Sequence, residues 1–180
     1  GDGMKPVLTT ILVGISLSMD AFSLSLAYGT INLNKSQKLT LSLIVGAYHF
    51  IMPLIGLFFG SVIEKYIIIN FNILVALIFV LIGVNLIMSS FREEKPTFLV
   101  GLVGYLTFGL SVSLDSLTTG IGLNAINNNY LQVSTIFAIS SFTFTYLGLK
   151  LGNILSEKFG HYATIAGGIL LIILGIYYLI

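Results

Sequence analysis

The stretch that decides the fold is Val7–Gly29, with the sequence VLTTILVGISLSMDAFSLSLAYG. It is long enough to cross the bilayer's hydrocarbon core, which takes about 20 apolar residues in a helix. Asp20 is the only charged residue within it. A carboxylate at that depth costs roughly 2.5–3.5 kcal/mol on insertion scales unless it meets water, a proton or a cation. The stretch therefore predicts a transmembrane helix that carries a functional acid.

A closely similar phrase recurs in the second half of the chain. Ser16–Asp20 reads SLSMD and Ser111–Asp115 reads SVSLD, and an offset of 95 residues relates them. An offset of 92 residues pairs Gly56 with Gly148, and further glycines match in the same order. These matches predict an internal repeat of three helices. Because three is odd, the second copy must be inverted in the membrane, as in many secondary transporters.

The composition is typical of an integral membrane protein. Of 180 residues, 56% are hydrophobic and 8% are charged, with a mean hydropathy of +1.03, whereas soluble domains carry about 25% charged residues. Charges, Asn and Pro divide the chain into six apolar spans, at residues 7–29, 39–63, 68–91, 98–123, 131–155 and 161–180. The predicted fold class is all-α, with six transmembrane helices in two inverted three-helix repeats.

One membrane domain is expected to include nearly the whole chain. We predict a first repeat at residues 4–91 and a second at residues 92–180, with residues 1–3 a cloning remnant ahead of Met4. Basic residues favour one side of the predicted membrane, with Lys35, Lys38, Arg92, Lys95 and Lys158 against Lys5 and Lys65. Because Lys and Arg are enriched in cytoplasmic loops, both termini of this multi-pass cell-membrane protein are predicted to be extracytoplasmic.

Hydroxyl side chains flank each aspartate on the same helical face, four residues before it and three residues after it. They are Ser16 and Ser23 in the first helix, and Ser111 and Thr118 in the fourth. Carboxylate and hydroxyl oxygens suit hard cations such as Mg²⁺, Ca²⁺ or Mn²⁺. Two carboxylates also balance one divalent charge, so the pattern predicts a metal site; a structural role for protonated aspartates is the alternative.

The second predicted helix contains a histidine one turn ahead of a proline. Pro53 removes the hydrogen bond that the His49 carbonyl would otherwise accept. Either that carbonyl or the His49 imidazole is therefore a candidate ligand or proton carrier, and a hydrogen bond to a neighbouring helix is the alternative. We interpret Gly56 and Gly60, like Gly148 and Gly152 of the fifth helix, as positions of close helix packing.

Several functional classes are disfavoured by the sequence. No cysteine is present, which removes disulfides and thiolate metal sites. A net charge of +1 without basic clusters argues against nucleic acid as a partner. The chain contains no nucleotide-binding loop, metalloprotease helix or nucleophile elbow, so we predict neither an enzyme nor a cofactor. The expected partners are a divalent metal ion and the lipid bilayer.

The phrases Leu17–Phe22 and Ser113–Leu117, together with Pro53–Gly56, resemble those of the MntP-type manganese efflux pumps. The resemblance covers nearly the whole chain. It implies six helices in two inverted halves, with an essential acid in the first and the fourth helix. Carried over to this sequence, it implies that Asp20 and Asp115 are the metal-binding pair.

The resulting hypothesis is secondary-active export of divalent metal ions, Mn²⁺ above all, from the cytoplasm, with manganese as cargo. Three departures from the family pattern leave room for a divergent branch, such as the sporulation-associated membrane proteins. His49 stands where members more often have glutamine, and Ser116 stands where the second motif usually has alanine. The loop between the third and fourth predicted helices, Arg92–Pro96, is also very short. The alternatives are a LysE-like exporter of an organic cation or amino acid, and a membrane protein that transports nothing.

Overall fold

The computed structural model describes residues 4–31, 33–66, 70–91, 100–155 and 157–180, the side chains of Phe71 and Glu157 excepted. The described chain forms six α-helices: α1 (Met4–Gly29), α2 (Lys35–Tyr66), α3 (Phe71–Ser90), α4 (Leu102–Leu123), α5 (Tyr130–Leu151) and α6 (Glu157–Leu179). The predicted all-α class and the number of helices are confirmed. The predicted cloning remnant at residues 1–3, Arg92 and Lys95 lie outside the described residues.

Local capping moves some helix ends away from the hydropathy boundaries. α2 begins at Lys35 instead of 39, because Asn34 and Gln37 exchange two backbone-to-side-chain hydrogen bonds of 2.9 Å in a capping box. α4 begins only at Leu102, after Gly101, whose φ of 120° favours glycine. α5 ends at Leu151 instead of 155. The capping box therefore sets the start of α2, which apolar length alone misplaces.

Apolar surface on the outside of the bundle identifies it as a membrane protein. Four segments are long and apolar enough to cross a bilayer: Met4–Gly29, Lys35–Tyr66, Asn72–Ser90 and Lys158–Leu179. α4 and α5 are more polar, but each has 22 residues, about 33 Å of helix. Leu114 on α4 and Ile139 on α5 are 54% and 61% exposed. These two helices therefore also present large apolar side chains to lipid.

The helices pack as a ring in the order α1, α5, α2, α4, α3, α6 and back to α1. α1 and α4 also touch each other directly, although over a short length. The α1–α4 contact divides the ring into two compartments. We call the one enclosed by α1, α2, α4 and α5 the α2–α5 compartment, and the one enclosed by α1, α3, α4 and α6 the α3–α6 compartment.

Glycines bring paired helices into backbone contact. A Cβ atom added to Gly56 would collide with the Leu117 carbonyl oxygen, and one added to Gly60 would lie 2.6 Å from that of Ile121. Later residues of α2 thus meet later residues of α4, so these helices run parallel. α1 and α5 run parallel in the same way, with Gly152 against the end of α1. The interpretation of these glycines as packing positions is confirmed.

α6 runs antiparallel to α1, which brings both ends of the bundle's chain to one face. Gly160, early in α6, packs against Ser23, late in α1. At the other end, Thr9 Oγ1 and Tyr178 OH are hydrogen-bonded at 2.9 Å. We call the face where α1 begins and α6 ends the terminus face, and the other the opposite face.

Two separate apolar clusters fill the interior. The terminus-face cluster consists of Val13, Leu17, Leu57, Val75, Ile78, Phe79, Ile82, Leu86, Leu123, Val133, Phe137, Leu171 and Leu174. The opposite-face cluster consists of Ala21, Tyr28, Leu33, Leu41, Val45, Tyr105, Val112 and Leu149. The clusters share no member and therefore pack separately.

Candidate metal centre

The two aspartates lie on the helices that meet across the middle of the ring, Asp20 on α1 and Asp115 on α4. Both are half-buried, and their carboxylates are close enough for the two charges to interact. Leu17, one turn before Asp20, belongs to the terminus-face cluster, whereas Ala21 and Val112 belong to the opposite-face cluster. The aspartates therefore lie at the level where one apolar cluster gives way to the other.

α6 covers the side of α1 that bears Asp20 and its flanking hydroxyls. Ser16 is fully buried and donates to the Leu12 carbonyl at 2.8 Å. Ser23 is half-buried, and a Cβ atom on Gly160 of α6 would lie 2.8 Å from its Oγ. Thr164 of α6 donates to the Met19 carbonyl at 3.4 Å. Both predicted hydroxyls of α1 thus lie in the contact between α1 and α6.

The corresponding hydroxyls of α4 are not covered in this way. Ser111 and Thr118 are both exposed, and Ser111 donates to the Thr107 carbonyl of its own helix at 2.9 Å. Thr119, which is fully buried, donates to the carbonyl of Asp115 at 2.7 Å. The structure therefore brings the two aspartates together, while Ser111 and Thr118, on the same face of α4 as Asp115, stay exposed.

His49 lies in the contact between α2 and α4. It is fully buried, with Nδ1 3.0 Å from the Val45 carbonyl oxygen. Because a carbonyl can only accept, Nδ1 carries a proton, and Nε2 of the neutral ring then has a free lone pair. Nε2 faces the α4 backbone at Val112 without forming a hydrogen bond. His49 thus forms a hydrogen bond within α2, and its ring lies against the neighbouring helix at Val112.

A hydroxyl pair that the sequence did not single out joins the two halves beside the aspartates. Ser18 on α1 and Ser141 on α5, both buried, have their Oγ atoms 3.2 Å apart. Ser18 belongs to the repeated phrase, which was the available signal. The pair fixes α1 against α5 two residues before Asp20.

A second polar network was also missed, at the terminus face. Asn124, only 3% exposed, donates from Nδ2 to Glu64 Oε2 at 2.8 Å. Its Oδ1 accepts a hydrogen bond of 2.9 Å from the Tyr130 hydroxyl. The network connects the end of α2 with the end of α4 and the start of α5. No sequence motif marks these residues, since they lie at the limits of apolar spans.

The donor set around the aspartates is one of oxygen ligands. Among the described residues, no group of three or more His, Cys, Asp or Glu side chains is placed to hold a metal ion. A cation between the helices would rely on two carboxylates together with hydroxyl and carbonyl oxygens, a hard ligand set. Two carboxylates in an apolar layer are unfavourable unless protons or a cation offset their charge. A divalent cation would offset both of these charges.

Comparison with known proteins agrees with this chemistry. A family model described as "Putative manganese efflux pump" matches residues 32–179. The "Putative manganese efflux pump MntP" of Halalkalibacterium halodurans is 31% identical over 169 residues, 93% of this chain and 93% of the relative. The protein of the same name from Bacillus pumilus is 31% identical over 171 residues, 94% of this chain and 93% of the relative. No solved structure matches the chain.

These matches confirm the resemblance indicated by the two aspartate phrases. The family model covers more than half of the chain, and the relatives align with it over nearly their whole length. On this evidence, the chain belongs to the MntP family, whose model is described as a manganese efflux pump.

Proposed function

We propose that this protein is a secondary-active exporter of divalent metal ions, with Mn²⁺ as its main cargo, and that Asp20 and Asp115 bind the ion. The observation that carries the proposal is the meeting of two intramembrane carboxylates on α1 and α4, at the level between two apolar clusters. A divalent cation offsets both charges, which would otherwise be strongly unfavourable in a low dielectric. The names of the relatives point to the same ion.

The flanking oxygens complete the proposed ligand set. Ser16 and Ser23 line the α1 side and Ser111 and Thr118 the α4 side, so the ion meets hydroxyl groups above and below the carboxylates. We include His49 as an auxiliary ligand, because its Nε2 has no protein partner. Oxygen and imidazole ligands are both acceptable to Mn²⁺.

We further propose that residues 4–91 and 92–180 are inverted repeats that rock about this site. Support comes from the helix contacts. If the two halves are equivalent, α1 corresponds to α4, α2 to α5 and α3 to α6. The α1–α5 contact then corresponds to the α4–α2 contact, and the α1–α6 contact corresponds to the α4–α3 contact. All four contacts occur. Inverted repeats with a site near the midplane typically give each membrane face access in turn.

The proposed direction of transport follows from the charge of the loops. Lys35 and Lys38, with Lys158, lie at the opposite face, whereas Lys5 and Lys65 lie at the terminus face. Because basic loops stay in the cytoplasm, we place the terminus face outside the cell. Ions would then enter from the opposite face and leave at the terminus face.

The test is loss of Mn²⁺ export on conservative removal of either charge. Asp20→Asn and Asp115→Asn retain the side-chain shape, so each variant should reach the membrane folded yet lose Mn²⁺ binding by calorimetry and Mn²⁺ tolerance in cells. Glu64→Gln, a carboxylate change at the terminus face, is the control and should retain both. Wild-type Mn²⁺ tolerance in both aspartate variants would overturn the assignment of the site.

A further inference from the structure

Three hydrogen bonds between side chains join the two proposed repeats at the terminus face. They connect Thr9 Oγ1 with Tyr178 OH at 2.9 Å, Asn127 Nδ2 with Thr10 Oγ1 at 3.2 Å, and Asn124 Nδ2 with Glu64 Oε2 at 2.8 Å. In each pair, one residue belongs to the first proposed repeat and its partner to the second. We call these six residues the terminus-face latch.

Most of the latch is withdrawn from solvent. Its buried members are Thr9, Thr10, Asn124 and Asn127. The amide of Asn127 is also held from its other end, because its Oδ1 accepts a hydrogen bond of 3.0 Å from the Asn129 N–H. A side chain that is already held loses little conformational freedom when it binds a partner across the interface. Separating the repeats here would leave buried polar groups without partners until water reached them.

The corresponding positions at the opposite face cannot form the same bonds. The offset of 95 residues pairs Thr9 with Gly104 and Asn124 with Gly29. Glycine has no side chain that could donate or accept a hydrogen bond. Gly29 instead lies against the backbone of α5, where an added Cβ atom would be 2.7 Å from the Leu149 carbonyl oxygen. Two of the three latch bonds therefore have no counterpart, and the two faces differ in what closes them.

We propose that the terminus-face latch is a gate, which favours conformations closed at the terminus face and must open before the metal ion leaves there. Rocking of the repeats separates residues of different repeats at one face, so every latch bond breaks at that step. Water replaces each broken bond, and one bond therefore changes the equilibrium by only about threefold. The role in ion release rests on the proposed function, whereas closure of this face does not.

Closure is tested with a thiol reporter buried beneath the latch. Val13 lies one turn after Thr9 and belongs to the terminus-face cluster, whereas Val45 belongs to the opposite-face cluster. Both valines are 0% exposed. Because the sequence has no cysteine, Val13→Cys and Val45→Cys each provide a single thiol. A hydrophilic maleimide is applied to the protein in lipid nanodiscs. Both faces meet the reagent there, so the result does not depend on orientation.

Two substitutions remove latch hydroxyls and nearly preserve side-chain shape, Tyr178→Phe and Thr10→Val. The ring at position 178 can keep its edge-to-face contact with Phe79. We expect the double variant to raise the labelling rate of the Val13→Cys reporter about tenfold, because two latch bonds are lost. The labelling rate of the Val45→Cys reporter should not change.

Tyr177→Phe is the matched control, since Tyr177 is 61% exposed and its hydroxyl lies outside the latch. This change should leave both labelling rates as they are. An unchanged rate for the Val13→Cys reporter in the double variant would overturn the gate. An equal rise at both reporters would mean that the whole bundle has loosened, and it would also overturn the gate.

The role in ion release is tested by locking the latch. A bifunctional methanethiosulfonate that links Thr10→Cys to Asn127→Cys should stop Mn²⁺ export from proteoliposomes, and reduction of the link should restore it. Export that persists in the cross-linked protein would refute this role. The Glu64→Gln variant of the Mn²⁺ tests keeps an acceptor oxygen opposite Asn124, so it leaves that latch bond in place.

The outcomes separate the two proposals. If the wild-type protein moves no Mn²⁺ before any cross-link is made, the proposed function fails. The maleimide labelling needs no metal, and it still decides whether the latch closes the terminus face.

Discussion

The hydroxyl of Ser18 donates to the Gly14 carbonyl at 2.6 Å, so it can only accept in its 3.2 Å contact with Ser141. Ser141 must therefore be the donor of the bond that joins α1 to α5. In a membrane the hydrophobic effect does not hold helices together, and such a bond contributes about 0.6 kcal/mol on average. The contact thus contributes modestly to stability, beside the close backbone packing of the same helices.

We predict that Ser141→Ala lowers the free energy of unfolding by about 0.6 kcal/mol, measured by SDS titration in mixed micelles. In a double-mutant cycle, Ser18→Ala should then add almost no further loss from this contact, giving a coupling energy of similar size. Ser16→Ala serves as a control, because Ser16 bonds only within α1. Additive effects of the Ser18 and Ser141 changes would contradict the bond.

At the same scale, the sequence predicted the pair of aspartates but not the surroundings of each one. Hydroxyls four residues before and three residues after an aspartate lie on the same face of its helix. How much of that face is buried depends on the helix that packs against it. α6 approaches α1 closely through Gly160 and Gly167. The offset of 92 places Val75 of α3 where α6 has Gly167. α3 packs against α4 less extensively than α6 packs against α1, and Ser111 and Thr118 stay exposed.

Helix α4 shows how one element combines two kinds of glycine. Gly120 abuts α2, and a Cβ atom on it would lie 2.7 Å from the Pro53 carbonyl oxygen. Gly122 faces α3, where the nearest atom to such a Cβ is the Ile78 Cδ1 at 3.4 Å. Only at Gly120 does a rigid backbone neighbour leave no room for a side chain. The same helix thus offers a test and its control two residues apart.

We predict that Gly120→Ala destabilises the protein by about 1–3 kcal/mol, because α2 and α4 must separate to admit the methyl group. Gly122→Ala should be neutral or slightly stabilising, since alanine favours the helix by up to about 1 kcal/mol and the Ile78 side chain can move. Thermal unfolding of both variants in the same detergent gives the comparison. Equal melting temperatures would argue against the close α2–α4 contact.

Element boundaries were the less predictable part of the helices. Apolar length and charge located all six, because a bilayer core requires about 20 residues per span. The start of α2 was missed by four residues, since the Asn34–Gln37 capping box extends the helix beyond the apolar run. The capping box can be recognised in the sequence when a helix start is predicted from its capping residues and not from apolar length. The end of α5 at Leu151 follows no comparable polar signal.

For the whole molecule, the lack of cysteine in the sequence gives a direct test of orientation. A single Lys65→Cys substitution places a thiol at the end of α2, on the terminus face, and Lys35→Cys places one at its start. We predict that a membrane-impermeant maleimide labels the first variant in intact cells and the second only after permeabilisation. The reverse pattern would place the terminus face in the cytoplasm and invert the proposed direction of transport.

The two apolar clusters differ in how many helices build them. All six helices contribute to the terminus-face cluster, whereas among the helices only α1, α2, α4 and α5 contribute to the opposite-face cluster. Apolar stabilisation grows with the area withdrawn from water. The terminus-face cluster, built by six helices, should therefore resist the entry of water more strongly than the opposite-face cluster, built by four. Without cargo, the opposite-face cluster is therefore expected to open to water before the terminus-face cluster does. With the orientation proposed above, that side faces the cytosol, and ions returning from outside would meet the cluster that all six helices build.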